Sequence, residues 1–157
     1  MRRFLRGFGY AGQGIAAALR EERNFRFHLC AAAYVLAFGR FYPFGRTEWA
    51  LLFLCIAGVI ALELVNSAVE RAVDRPDEAH WSAAGAAKDM AAGAVLVFSI
   101  GAAAVGVSLF WQPDVLHEIW LWLWEVPLRA VGLALSFAAA VLFVFLPEER
   151  TRRSTGK

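Results

Sequence analysis

Hydrophobic residues in this chain are gathered into long segments separated by short charged ones, a pattern that predicts membrane-spanning helices. The stretch 49–62 contains no charged residue, and the segment 90–111 has Ser99 and Ser108 as its polar side chains. About 20 residues are needed to cross a bilayer, so a segment interrupted by Arg40 and Pro43 is short for a span. Four spans are predicted in all, over 29–44, 49–72, 90–111 and 126–146.

The first 28 residues have a different pattern, in which basic and apolar side chains share one helix. Such an amphipathic, basic segment is typical of a helix that lies in the membrane interface. A solvated helix packed against its own protein is the alternative. The alternating residues are Phe4, Leu5 and Phe8 with Arg2, Arg3 and Arg6.

Composition and charge placement agree with a membrane protein. Hydrophobic residues make up 59% of the 157 residues and charged residues 19%, too few to cover a soluble globule. The predicted fold is all-α integral membrane, with an N-terminal interfacial helix, three spans and an additional fourth C-terminal span. Six Arg precede Cys30 and four basic residues follow Pro147, whereas 112–118 has none. The positive-inside rule therefore places both termini and the loop 71–88 in the cytoplasm.

A row of polar residues ends the second predicted span. Glu63, Asn66, Glu70 and Asp74 fall at i, i+3, i+7 and i+11, on one face of one helix. Ionisable groups at membrane depth are costly, so a functional site is the first interpretation. A structural polar seam between helices and an ion or proton pathway are the alternatives.

Several other patterns carry no function here. The glycines of 7–12 match G-x-G-x-x-G without the preceding strand that a dinucleotide fold requires. No G-x-x-x-x-G-K-[ST] sequence is present, the three His are too scattered for a zinc site, and Cys30 and Cys55 are not spaced as a pair. The basic residues flank membrane segments, where anionic lipid is a nearer partner than nucleic acid.

The stretch 63–74, E-L-V-N-S-A-V-E-R-A-V-D, resembles the signature of the prokaryotic diacylglycerol kinase and undecaprenol kinase family. Residues 9–14, 21–28 and 87–96 agree at the same spacing, and 21–28 is more similar to the undecaprenol kinase branch. The resemblance covers residues 1–111, the expected lipid kinase core, and leaves 112–157 as an additional C-terminal segment. It implies a homotrimer in a bacterial cytoplasmic membrane, with active sites shared between neighbours and facing the cytoplasm.

The chemistry of such a kinase gives roles to the polar row and its surroundings. Phosphoryl transfer is mainly positioning and charge neutralisation, and a lipid hydroxyl benefits from a general base, for which Glu63 is placed. Asn66 can orient the hydroxyl or the phosphate. Lys88 supplies a compact positive charge for phosphate, and Asp89 can hold Lys88 or the nucleotide.

The resemblance implies the remaining site residues. Glu22 and Glu70 are expected to bind Mg²⁺, which takes one or two carboxylates together with phosphate oxygens, and both are expected near the nucleotide. Asp74 is a supporting residue, and Ala92, with Glu63 and Asn66, is expected at the lipid substrate. The other residues expected at the nucleotide are Arg3, Tyr10, Ala79, His80 and Trp81. Contact with lipid headgroups is the alternative role for Arg3.

The sequence thus predicts an integral membrane lipid kinase that transfers the ATP γ-phosphate to undecaprenol or diacylglycerol. An ion or proton pathway would also place Glu63 and Glu70 inside a helical bundle. It would not explain the Lys88–Asp89 pair, nor the acidic Glu22 beside an interfacial helix. A purely structural bundle explains still less.

Overall fold

A computed structural model describes residues 2–73 and 81–145, which form six α-helices and contain no strand. The predicted all-α fold is therefore confirmed. The helices are α1 (Arg2–Glu21), α2 (Arg23–Gly39), α3 (Arg46–Val73), α4 (Trp81–Phe110), α5 (Pro113–Glu125) and α6 (Pro127–Val144).

The two longest helices, α3 and α4, run antiparallel and make the most extensive helix–helix contact in the described structure. Gly58 of α3 lies against the ring of Phe98, and a side chain at position 58 would overlap that ring. The absence of a Cβ at this position permits the close approach of the two helices. At the end where α3 begins, the hydroxyl of Tyr42 donates to the carbonyl oxygen of Phe110 at 3.0 Å.

Helix α2 packs against α3 on one side and against α6 on the other. The hydroxyls of Tyr34 and Ser136 lie 3.1 Å apart, and Arg26 contacts the carbonyl oxygen of Val144. Because Tyr34 follows Arg26 whereas Ser136 precedes Val144, α6 is antiparallel to α2. The C-terminal end of α6 therefore returns to the end of the bundle where α1 meets α2.

Within the described residues, three helices are long and apolar enough to cross a membrane: Arg46–Val73, Ala83–Phe110 and Pro127–Val144. They correspond to the second, third and fourth predicted spans. The first predicted span, 29–44, falls on α2 and the following loop, and α2 is not among the three. Its 17 residues extend about 25 Å at 1.5 Å per residue, and its first turn carries Arg23 and Arg26, so its apolar stretch is shorter than that of α6.

The N-terminal helix ends earlier than the sequence predicts. The sequence predicts an interfacial helix over residues 1–28, but the helix is interrupted at Glu22, whose backbone is extended (φ −114°, ψ 112°), and residues 23–28 belong to α2. Phe4 and Phe8 are 70% and 65% exposed on α1. An apolar side without a protein neighbour is what an interfacial helix presents to lipid.

Candidate active site

The inner face of α3 carries buried polar side chains, among them Glu63 and Asn66. Val59, Glu63 and Asn66 follow one another at i, i+4 and i+7, and all three are buried, with Glu63 only 3% exposed. A carboxylate removed from water at this depth needs a compensating partner or a function. Among the described residues, the carboxylates of Glu22 and Glu70 act on it as like charges. We call Glu22, Glu63 and Glu70 the carboxylate cluster.

Asn66 links the buried part of this face to its more exposed end. Its side-chain Nδ2 donates to Oε1 of Glu70 at 3.2 Å, one helical turn further on. Its Oδ1 is buried and has no hydrogen-bond partner within the described structure. The neighbouring Ser67 donates its hydroxyl to the backbone carbonyl of Glu63 at 3.0 Å. The side-chain Nδ2 of Asn66 therefore orients Glu70, while the side-chain Oδ1 of Asn66 stays available for a ligand.

The break between α1 and α2 joins the cluster through an arginine. Nη2 of Arg71 lies 3.1 Å from Oε1 of Glu22 and 3.2 Å from Oε2 of Glu21. Glu22 occupies the position before α2 without capping that helix through its side chain. Its carboxylate instead points to the end of α3. Two segments 49 residues apart in sequence are thereby held together at the site.

The cluster offers oxygen donors of the type that Mg²⁺ selects, namely carboxylates and an amide carbonyl. Among residues 2–73 and 81–145, no group of three His, Cys, Asp or Glu side chains is arranged to hold a metal ion. Glu22 and Glu70 could bind one only as a pair, together with oxygens from a ligand such as a phosphate. This is the way in which Mg²⁺ is usually held in phosphoryl-transfer sites.

The other predicted site residues lie on α4 and α1. With Gly58 opposite Phe98, the antiparallel register places Ala92 about level with Glu63, and Lys88 between Glu63 and Glu70. Lys88 is half-buried, whereas Asp89 and Ala92 are exposed. The first part of α4 therefore lies at the same height along the helical bundle as the carboxylate cluster.

The structure does not bring Tyr10 to the cluster. Tyr10 is 68% exposed on α1, eleven residues before Glu21 and therefore about 16 Å from it along the helix. The backbones of Arg3 and Trp81 lie in the first turns of α1 and α4. Asp74, Ala79 and His80 lie outside the described residues.

An apolar cavity of about 300 Å³ lies between α2, α3 and α4, directly below the cluster. Val59 and Ile60 line it, one turn from Glu63, and the cavity continues along the bundle to Leu52 and Gly106. The Oγ of Ser99 is a buried polar atom without a hydrogen bond in the described structure, on a residue of the same wall. A long hydrocarbon chain could therefore enter the protein beside the buried carboxylate.

Two arginines near the site were not assigned from the sequence. Arg26 is 3% exposed and donates to the carbonyl oxygens of Arg20 at 3.0 Å and Val144 at 3.2 Å, with a longer bond of 3.4 Å to that of Leu19. It thus satisfies carbonyls at the ends of both α1 and α6. A role for Arg71 could have been inferred from its position directly after Glu70, where a cation follows a row of carboxylates. No pattern in the sequence pairs Arg26 with Val144.

Comparison with known proteins adds to this geometry. The family model described as prokaryotic diacylglycerol kinase matches residues 9–110. The chain belongs to this family. The match ends where α4 ends, so α5 and α6 lie beyond it, while Glu22, Glu63 and Lys88 lie within it.

Individual members of the prokaryotic diacylglycerol kinase family are similar over the same part of the chain. An undecaprenol kinase from Bacillus subtilis is 44% identical over 110 residues, which are 70% of this chain and 89% of the relative. Diacylglycerol kinases from Synechocystis sp. and Escherichia coli are 36% and 30% identical, over 68% and 70% of this chain and 61% and 90% of theirs. No solved structure is significantly similar to the chain. The protein is a lipid kinase of the diacylglycerol kinase and undecaprenol kinase type, which confirms the family resemblance seen in its sequence.

Proposed function

We propose that this protein transfers the γ-phosphate of ATP to the hydroxyl of undecaprenol, giving undecaprenyl phosphate. The observation that carries the proposal is the buried carboxylate of Glu63, placed between the more exposed carboxylates of the cluster and an apolar cavity. Undecaprenol is favoured over diacylglycerol by the higher identity to the undecaprenol kinase than to the Escherichia coli diacylglycerol kinase. Diacylglycerol is the second candidate acceptor, since it is the substrate in the family description.

In this proposal Glu63 acts as the general base. Its carboxylate accepts the hydroxyl proton of the lipid as the hydroxyl oxygen bonds to the γ-phosphorus, and the bond from that phosphorus to the β–γ bridging oxygen breaks to leave ADP. A positioned base contributes about 10²–10⁴ to such a rate. Asn66 holds the lipid hydroxyl or the phosphate with its amide, and Lys88, at the same height on α4, stabilises phosphate charge.

Magnesium fits the donor set at the end of α3. Glu22 and Glu70 would hold the ion together with ATP phosphate oxygens, and the buried Oδ1 of Asn66 is a further oxygen donor nearby. When bound, Mg²⁺ neutralises phosphate charge. Arg71 already binds Glu22 at 3.1 Å, so this arginine holds the carboxylate in place and neutralises it in the absence of the ion.

The lipid chain would occupy the apolar cavity between α2, α3 and α4. Its wall is almost entirely hydrocarbon, and Val59 and Ile60 bring it within one turn of Glu63. A chain in this cavity would present its terminal hydroxyl to the carboxylate from the membrane side, while ATP approaches from the end where Arg71 is exposed.

The orientation and assembly belong to the same proposal. We place the protein in the bacterial cytoplasmic membrane with the carboxylate cluster facing the cytoplasm, as the distribution of Lys and Arg favours. The lipid-facing sides of α4 are largely exposed and apolar, which leaves room for neighbouring copies in a homotrimer.

A cysteine at position 154, with Cys30 and Cys55 replaced, should resist a membrane-impermeant thiol reagent in intact cells and react after lysis. Labelling in intact cells would contradict the fourth span.

The decisive experiment is a side-by-side assay of the purified protein with undecaprenol and diacylglycerol, each with ATP and Mg²⁺. We expect phosphorylation of undecaprenol at the higher kcat/KM, and no transfer when Mg²⁺ is chelated. A preference for diacylglycerol would reverse the substrate assignment. Absence of transfer to either lipid, with ATP bound, would contradict the proposed activity as a whole.

A further inference from the structure

A second apolar depression lies on the opposite side of α2 from the carboxylate cluster, between α2, α5 and α6. This α2–α5–α6 groove has a volume of about 480 Å³, within the range of small-molecule sites. Two of its three helices, α5 and α6, follow residue 110 and lie beyond the family match. The residues that line the groove include Tyr34, Phe38, Trp122, Arg129, Gly132 and Ser136.

The wall of the groove suits a hydrocarbon chain because its hydroxyl groups are already bonded to each other and to the backbone. Ser136 donates its hydrogen to the carbonyl oxygen of Leu133 at 2.8 Å, so Tyr34 must be the donor in the 3.1 Å contact between the two hydroxyls. Apart from Arg129, the remaining wall is aliphatic or aromatic. An acyl chain in this groove would therefore leave neither hydroxyl unsatisfied.

One end of the groove is charged, and its charges are arranged in a definite way. Nη1 of Arg129 donates to the carbonyl oxygen of Trp122 at 2.8 Å and to Oε2 of Glu125 at 2.9 Å. The guanidinium also lies over the Trp122 ring, 4.6 Å from its centroid. In the described structure its Nε and Nη2 make no hydrogen bond. The arginine is thus fixed by three contacts, with donors left over for a ligand.

A cation and an anion side by side match a ligand that also carries both charges. We propose that the α2–α5–α6 groove binds a phospholipid with a phosphoethanolamine headgroup. Its phosphate accepts from Nε and Nη2 of Arg129, its primary ammonium donates to Glu125, and one acyl chain lies along the groove. An anionic headgroup would place its charge beside Glu125 with no ammonium to offset the repulsion. A quaternary ammonium could not donate a hydrogen bond to that carboxylate.

This lipid site is separate from the proposed substrate cavity, and it does not rest on the kinase activity. Arg129 lies near the start of α6, whereas the end of α6 reaches Arg26. The 18 residues of α6 span about 27 Å, so the headgroup lies at the other side of the membrane from the carboxylate cluster. Trp120, Trp122 and Trp124 mark the same level, as aromatic side chains do at a membrane interface.

The test is native mass spectrometry of the purified protein titrated with phosphatidylethanolamine, phosphatidylcholine and phosphatidylglycerol of identical acyl chains. We expect the first to bind most tightly, and Arg129→Gln to weaken it by about tenfold, as loss of a charge-assisted hydrogen bond does. Gly132→Leu should have a similar effect, since a Cβ at Gly132 meets no other atom within 4 Å and the longer side chain would fill the groove. Glu125→Gln should reduce the preference for ethanolamine over glycerol headgroups.

Two matched variants serve as controls. Arg40→Gln removes an exposed arginine at the same end of the bundle but outside the groove, and Ala138→Leu enlarges an exposed residue on another side of α6; both should bind as wild type does. If Arg129→Gln does not fold, Gly132→Leu and Glu125→Gln decide. Equal affinity for the three headgroups, or unchanged binding in these variants, would overturn the proposal. So would disulfide cross-linking of two copies through cysteines placed at Leu133, since a second copy would then cover the groove.

Discussion

The buried guanidinium of Arg26 donates to the carbonyl oxygen of Val144 at 3.2 Å, a contact between residues 118 positions apart. Arg26 belongs to the stretch that the family model covers, and Val144 lies beyond it. A cation at the C-terminal end of a helix is favoured by the dipole of that helix. The same side chain also bonds to the last turn of α1, so the extra C-terminal helix is fastened beside the segment that carries Glu22.

This contact leads to a prediction about truncation. A chain ending after Trp111 loses α5 and α6, and with them the Val144 acceptor of a buried arginine. We expect kinase activity to persist, because the predicted site residues all precede the cut, but the protein should be less stable by about 1–3 kcal/mol from this acceptor alone. Lipid phosphorylation and the thermal midpoint in detergent measure the two effects.

A chain ending after Phe145 is the matched control for the truncation, since it keeps α6 and its contact with Arg26. It should match the full-length protein in both measurements. If the chain ending after Trp111 inserts and assembles but is inactive, α6 contributes directly to the active site.

Glu63→Gln should abolish phosphoryl transfer while ATP binding and the fold are kept. The amide preserves shape and hydrogen bonding but cannot act as the base, so a rate loss of about 10²–10⁴ is expected. The measurement is kcat at saturating lipid, with Glu118→Gln, an exposed glutamate on α5, as control. Near wild-type turnover of the Glu63 variant would remove Glu63 from the mechanism.

Glu22→Gln and Glu70→Gln should each raise the Mg²⁺ concentration needed for ATP binding. Because two ligands of one ion act as a unit, the double variant should be little worse than the more severe single one. Nucleotide affinity measured against Mg²⁺ concentration in all four proteins completes the cycle. Effects that add in free energy would argue against a shared ion.

Arg71→Gln should weaken the site without unfolding the protein. Arg71 is 42% exposed, and exposed ion pairs contribute at most about 1 kcal/mol to stability. Without it Glu22 loses its contact with α3, and we expect KM for ATP to rise by up to about fivefold. Arg20→Gln, an exposed arginine on α1, should leave KM unchanged. A large fall in the melting temperature without a change in KM would mean that Arg71 has a structural role only.

Gly58→Ala should separate α3 from α4, because the added methyl group would overlap the Phe98 ring. Overpacking of this kind costs about 1–3 kcal/mol, which thermal unfolding would detect. Phe98→Leu in the same chain should recover part of the loss. Gly101→Ala, where a Cβ meets no other atom within 4 Å, should be neutral, and equal losses at the two positions would contradict the close-approach explanation.

The sequence predicted what depends on helix periodicity. A spacing of three, four and seven residues put Glu63, Asn66 and Glu70 on one face of one helix, and the structure has Asn66 bonded to Glu70 on that face. Segment hydropathy likewise predicted the three long apolar helices, although α3 and α4 begin several residues earlier than the apolar runs do. The residues before these apolar runs still favour a helix, but hydropathy alone does not indicate the part of a helix that lies outside the membrane.

The rest depends on tertiary contacts that local patterns do not encode. The helix break at Glu22 is not indicated by a Gly or Pro at that position. The carboxylate of Glu22 is held by Arg71, which belongs to another helix. The pairing of Arg26 with Val144 required the path of α6, which follows from packing against α2. The Trp-rich stretch before the last span was not expected to form a helix of its own, yet Pro113 begins one and Pro127 begins the next.

The exposed apolar side of α1 means that the bilayer surface itself serves as a structural neighbour of the site. Glu21 and Glu22 follow a helix whose Phe4 and Phe8 are exposed, as the apolar side of an interfacial helix is when it faces lipid. The height of that helix relative to α3 is then set by membrane thickness and headgroup packing as well as by Arg71. Turnover in this protein should accordingly respond to the acyl-chain length of the surrounding lipids, even when the concentration of its substrate is held constant.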